Sequence, residues 1–259
     1  MAKPFPFVGV PLYSPYGMHW RTSELRTEGA AKRGEDGSFE RFRGLAGSVS
    51  QCSLLPDAFN ALLVAAMNMR KAHGITHFAM LHGDIVPQEH WLDTLFDEMQ
   101  AIEADAISAV VPIKTHQGIT STAIGYDDTG KLKWDRLTLR DVQRFPETFT
   151  IADTPWPDKM LLINTGCLLI DLQKAWVKDW VLGGGFRLES RIEEIEPGQY
   201  LATTSPEDWL MSYDLHRLGT KVAATRKVLL SHHGDFTYTN RAVWGTAESE
   251  VTYPEAALC

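Results

Sequence analysis

Across residues 55–112 the chain switches repeatedly between two hydrophobic periods, and that alternation limits the folds open to it. Phe59, Leu62, Leu63, Ala66 and Met67 recur at the three- and four-residue spacing of an amphipathic helix, which His73-Gly74 ends. Phe78-Ala79-Met80-Leu81 follows at once, a continuous apolar run of strand length, as expected for a strand buried on both faces. Trp91, Leu92, Leu95, Phe96 and Met99 form a second helical stripe, and residues 106–112 a second buried strand. With a first strand at residues 7–11, this order predicts an α/β protein: a mostly parallel sheet with helices on both faces.

The remainder is less regular. Residues 13–44 are polar, mixed in charge and rich in glycine, which predicts a solvated loop with one short helix. Asp127-Asp128-Thr129-Gly130, between residues 122–126 and 132–134, signals a hairpin and thus an additional small antiparallel element. Residues 138–158 read as irregular, and Asn164-Thr165-Gly166 interrupts the apolar run of 161–171. A short helix is expected near 173–180, and Gly183-Gly184-Gly185 opens a polar loop to Ser205. Ser205 suits a helix N-cap, Pro206 the first helical position and Asp208 the third, completing a capping box, with Gly219 as the stop. Short strands are expected at 221–224 and 228–231.

Composition narrows the function. A net charge of -8 argues against duplex DNA as the main partner, which demands a basic face. Cys52, Cys167 and Cys259 have neither metal-ligand spacing nor even pairing, so they read as reduced thiols. No run approaches the ~20 apolar residues of a membrane span, and the first residues lack the apolar core of a signal peptide. A cytoplasmic setting is the expectation. The length suits one domain, 1–259.

Three polar clusters mark the ends of regular elements: His82-Gly83-Asp84, Glu207-Asp208 and His232-His233-Gly234-Asp235. Each has a plain structural explanation. Asp84 can cap a turn, Asp208 can cap its helix, and the histidines can lie on a solvated strand end. The functional explanation is that ligands of open α/β sheets bind outside the carboxyl ends of the strands. If the strand continues, His82 and Asp84 point the same way and His232 and His233 opposite ways. Trp156, Trp209 and Trp244 are candidates to stack on a bound ligand, although packing is the commoner fate of tryptophan.

The order of these clusters resembles the GT-A glycosyltransferases, particularly the family 2-like enzymes and their bacterial and bacteriophage relatives. The resemblance covers residues 8–238. It implies a GT-A (Rossmann-like) fold whose nucleotide-sugar-binding half is about 1–115, whose acceptor-binding half is about 116–240, and whose tail is 241–259. Pro11 and Tyr13 match the turn that borders the nucleotide. Ser53 and Asn60 fit the helix before the metal strand, but Phe59 stands where the family has arginine. His82-Gly83-Asp84 takes the place of Asp-X-Asp, so only Asp84 carries over cleanly. Thr165 and Gly166 match the pair before an apolar strand, Glu207 and Asp208 the carboxylates that open a helix, and His232 to Gly234 the last histidine motif.

The resemblance implies transfer of a sugar from a nucleoside diphosphate donor to an unknown acceptor: a glycan, a protein, a lipid-linked molecule or a nucleic-acid base. Asp84 with His232 or His233 would hold Mn²⁺, or Mg²⁺ in its place, with His82 as a further ligand. Histidine ligation favours manganese. Asp208 would be the general base of an inverting displacement, its helix N-terminus lowering its pKa, and Glu207 would orient the helix or the acceptor. The alternatives are a metal-dependent hydrolase or nucleotidyltransferase, and a non-catalytic module that binds a sugar nucleotide or glycan.

Overall fold

A computed structural model describes residues 3–13, 17–128 and 130–245. Cys259, residues 246–259 of the expected tail and Thr129 of the hairpin turn lie outside them. The first half runs β1 (Pro6–Leu12), α1 (Trp20–Leu25), β2 (Ala46–Gln51), α2 (Leu55–His73), β3 (His77–Leu81), β4 (Ile85–Pro87), α3 (Trp91–Ala101) and β5 (Ala106–Ala109). The second half begins with β6 (Ile119–Asp128), β7 (Lys131–Thr138), α4 (Leu139–Val142), β8 (Thr148–Thr150), β9 (Met160–Leu162) and β10 (Cys167–Asp171). It ends with α5 (Val177–Leu182), β11 (Glu189–Glu196), β12 (Gln199–Ser205), α6 (Glu207–Arg217), β13 (Val222–Thr225), β14 (Leu230–His233) and β15 (Thr237–Thr239).

The main sheet has seven strands in the order β2-β1-β3-β10-β5-β13-β8. It is mixed rather than mostly parallel. β1 runs parallel to β2 and β3, and β13 to β5, but β10 lies antiparallel between β3 and β5, and β8 runs antiparallel to β13. After the Asn164-Thr165-Gly166 break, β10 begins with Cys167 paired with Leu81 at the end of β3. Three smaller antiparallel sheets surround it: β11-β12, β15-β14-β4 and β7-β6-β9.

Strand alternation divides the interior in two. Phe7, Phe78, Met80, Leu168, Ile170 and Ala224 face one core, where Phe59, Leu62, Leu63 and Ala66 of α2 and Met211 and Leu215 of α6 join them. Val8, Ala79, Leu81, Cys167, Leu169 and Ala223 face the other, under Trp91, Leu92, Leu95 and Met99 of α3. Each fully buried Leu or Phe contributes about 1.5–3 kcal/mol over its exposed state. Gly74 ends α2 in the left-handed conformation at φ 73°, which glycine adopts without strain.

Several expectations are corrected. β2 and β15 were unanticipated, and the supposedly irregular 138–158 region contributes β8 to the sheet edge. The polar loop after Gly185 is a protruding hairpin, β11-β12, whose Ile192 and Tyr200 are exposed; its charges hide the strand period. α6 begins at Glu207 with Pro206 as its cap and no side-chain cap bond, because Ser205 is held in β12.

Candidate functional site

The three polar clusters sit at one edge of the sheet, beyond the carboxyl ends of β1, β3, β5 and β13. Strand β3 stops at Leu81, and His82-Gly83-Asp84 forms a turn into β4 rather than continuing the strand. The period-two argument that aimed His82 and Asp84 alike therefore fails. The His82 N–H donates to Gly166 O at 2.9 Å, and its ring packs against Phe59 at 5.2 Å with Nε2 3.2 Å from Thr165 Oγ1. Burial pulls the His82 pKa down to about 4, so the ring is neutral at physiological pH. Gly83 allows a close approach: a Cβ there would stand 2.5 Å from Leu12 Cδ2 and 3.2 Å from Gly17 O.

Asp84 faces elsewhere. Its Oδ2 accepts from Lys114 Nζ at 2.6 Å and lies 3.4 Å from His232 Nε2. Burial alone would raise this carboxyl's pKa, but His232 and Lys114 outweigh it and hold Asp84 well below the usual carboxylate range. His232 is oriented from behind, where Nδ1 lies 2.8 Å from Pro112 O. A carbonyl only accepts, so Nδ1 carries a proton, and the ring presents its Nε2 edge to Asp84. β14 delivers His232 by pairing it with Ile85, one residue beyond Asp84.

His233 points away from this carboxylate. Its ring stacks on His19 at 4.3 Å, and its Nδ1 lies 3.2 Å from Thr237 Oγ1. Thus Asp84 and His232 converge, while His82 and His233 engage other partners. Among the described residues no group of three or more His, Cys, Asp or Glu side chains is placed to hold a metal ion. Two ligands remain, and the oxygen that a cation would use already carries the Lys114 ammonium. This donor set does not fit a resident dication.

The second cluster opens α6. Trp209 is buried in the core, and its indole N–H donates to Ser121 O at 3.0 Å. Ser212 accepts from Ile163 N at 3.0 Å and fixes the next turn. Asp208 and Glu207 are left half-buried at the helix start, and Asp208 Oδ1 accepts from Trp209 N at 2.8 Å. Burial, reinforced by the Glu207 charge, pushes the Asp208 pKa up to about 8. Helix position alone predicts the opposite sign; here desolvation and a like charge outweigh the helix terminus. Arg136, whose guanidinium lies over the Trp209 ring at 4.5 Å, adds an opposing positive charge.

One stretch of chain joins the clusters. Ser121 donates to Val111 O through its N–H at 2.9 Å and its hydroxyl at 3.2 Å, and the next carbonyl, Pro112 O, holds His232. Asn164, buried between them, donates to Ala109 O at 2.7 Å and accepts from Gly166 N at 3.0 Å. It thereby sets the Thr165-Gly166 turn against His82.

The other expected residues divide. Tyr13 is 72% exposed at the end of β1, on the same edge. Pro11 lies inside β1, paired with Ser50, rather than in a turn. Ser53 is exposed just before α2. Asn60 is committed to the backbone of 184–186: it donates to Phe186 O at 2.7 Å and accepts from Phe186 N at 2.9 Å. Lys114 and Arg136 were missed. Lys114 follows a buried strand by a few residues, a signal visible beforehand; Arg136 reaches Trp209 only through hairpin register. A cavity of about 740 Å³, lined in part by Tyr126, Lys159, Tyr213 and Arg217, lies toward the other end of α6.

No protein-family model matches the chain, and no curated protein matches it. Solved structures similar to it include A197 from STIV, at 12% identity and a TM-score of 0.47 over 93% of this chain and 94% of that one. GalNAc-T7, solved with UDP, GalNAc and Mn²⁺, aligns at 14% identity and a TM-score of 0.47; the match covers 95% of this chain and 46% of that chain. A candidate UDP-N-acetylglucosamine pyrophosphorylase from Entamoeba histolytica aligns at 10% identity and 0.38, over 86% and 73% of the two chains. Any reading of this site rests on its own residues.

Proposed function

We propose that this chain is a glycosyltransferase of the GT-A kind, moving a sugar from a nucleoside diphosphate donor to an acceptor hydroxyl with inversion. The observation that carries the reading is the placement of two unlike carboxylates on one sheet edge. Asp84 is ionised and flanked by Lys114 and His232, whereas Asp208 holds its proton to about pH 8. Environments that push two carboxylates apart separate an electrostatic task from a proton-transfer task.

In the proposed reaction the acceptor oxygen attacks the anomeric carbon, its proton passes to the Asp208 carboxylate, and the glycosidic electron pair leaves with the diphosphate. A base with a raised pKa is stronger once ionised, and the rate should rise with pH up to about 8 as Asp208 loses its proton. Glu207 sustains that pKa, and Arg136 stabilises the ionised form.

A nucleotidyltransferase is the second reading, favoured by the Lys114 ammonium at the mouth of the site, where charge on a phosphoryl group would develop. It gives Asp208 no part in the chemistry. Asp208→Asn separates the two: glycosyl transfer is lost by at least about a hundredfold while donor binding persists. Transfer that persists in this variant removes Asp208 from the mechanism.

A further inference from the structure

We propose that Lys114 is the built-in counter-cation of the donor site: its ammonium, rather than a divalent metal, meets the diphosphate. The proposal rests on the sugar-nucleotide reading above. Asp84 Oδ2, the oxygen that a metal would share with His232 Nε2, accepts from Lys114 Nζ at 2.6 Å. A dication on that oxygen would stand beside a like charge and would have to displace a charge-assisted hydrogen bond.

The protein is built around this lysine. Ile113 N donates to Ile119 O at 2.9 Å and Thr115 N to Ile113 O at 2.8 Å, so Lys114 projects from a loop closed tightly on itself. Gly234 leaves room for the lysine stem: a Cβ there would come within 2.9 Å of Lys114 Cδ. Asp84 and His232 then position the ammonium, and the donor's phosphate oxygens supply its remaining acceptors. Lysine offers three donors and takes part as a point charge, as it does in other phosphate sites.

The test is calorimetric titration of the full chain with UDP, GDP, ADP and CDP, in EDTA and separately in Mn²⁺, together with Lys114→Met, which keeps the length of the stem. The expected result is that one nucleotide binds the wild type in EDTA with little change on adding Mn²⁺. Lys114→Met weakens that binding in EDTA about ten- to a hundredfold, the range for one charge-assisted contact. Because the variant frees Asp84 and His232, Mn²⁺ restores part of its affinity, and circular dichroism shows the fold intact. Binding to the wild type that requires Mn²⁺, or unchanged binding in Lys114→Met, overturns the proposal and leaves the glycosyltransferase reading standing. Binding of no nucleotide under either condition overturns both.

Discussion

Asp208→Asn tests the electrostatics of the site without any substrate. Asparagine keeps the shape and the oxygen that accepts from Trp209 N at 2.8 Å, and removes only the ability to titrate. In the folded wild type, burial and Glu207 keep Asp208 protonated to about pH 8, against 3.8 for an ordinary aspartate. Between those values the folded chain holds a proton that the unfolded chain has released. The contribution of this group to stability is therefore full below about pH 4 and falls as pH rises to about 8, by about 1.4 kcal/mol per unit. Over the whole interval the change is about 6 kcal/mol as an upper bound, and solvent reaching the half-buried carboxyl reduces it. Urea unfolding of both proteins at unit steps from pH 5 to 9 measures it. The variant should gain on the wild type with each step and level off above about 8. A stability difference independent of pH would refute the argument.

Two further substitutions probe the frame of the site. Asn164→Ala strands the Gly166 N–H and removes a donor from Ala109 O in a buried turn; a loss of about 2–4 kcal/mol is expected by chemical denaturation, and a loss under about 0.5 kcal/mol would contradict the role. His82→Asp restores the Asp-X-Asp pattern in sequence, but it puts a carboxylate beside Phe59 where a neutral ring sits. It should lower the melting temperature and fail to create a Mn²⁺ site, measured by titrating the metal alone; tight Mn²⁺ binding would show that the pocket admits a dication.

The parts of this fold written in local pattern were legible. α2 and α3 carry clean helical stripes, and the buried strands β3 and β5 are continuous apolar runs, so the α/β class follows from residues 55–112 alone. What was hidden depends on tertiary placement. β8 is three residues long and gains its strand identity only by pairing with β13, and β11-β12 alternates charges on an exposed ribbon that lacks a buried face. The reversed β10 could not be inferred from its apolar run, since direction leaves no mark on composition.

The site divides in the same way. Asp84, Asp208 and the histidines were visible as polar residues ending apolar elements, and His232 rather than His233 is chosen by the β14–β4 register. The raised pKa of Asp208 was misread because helix position was known and burial was not. Arg136 needed the hairpin register, and Asn60, a candidate for the nucleotide by resemblance, is occupied in pinning residues 184–186.

The central claim is that this sheet edge holds a nucleoside diphosphate sugar, and a thermal melt tests it most directly. The full chain is heated alone and with millimolar uridine, guanosine, adenosine, thymidine and cytidine nucleotide sugars. The account predicts that the sugar nucleotides of one base raise the melting temperature by several degrees and that Lys114→Met reduces the shift. A melting temperature unmoved by every nucleotide sugar would contradict it.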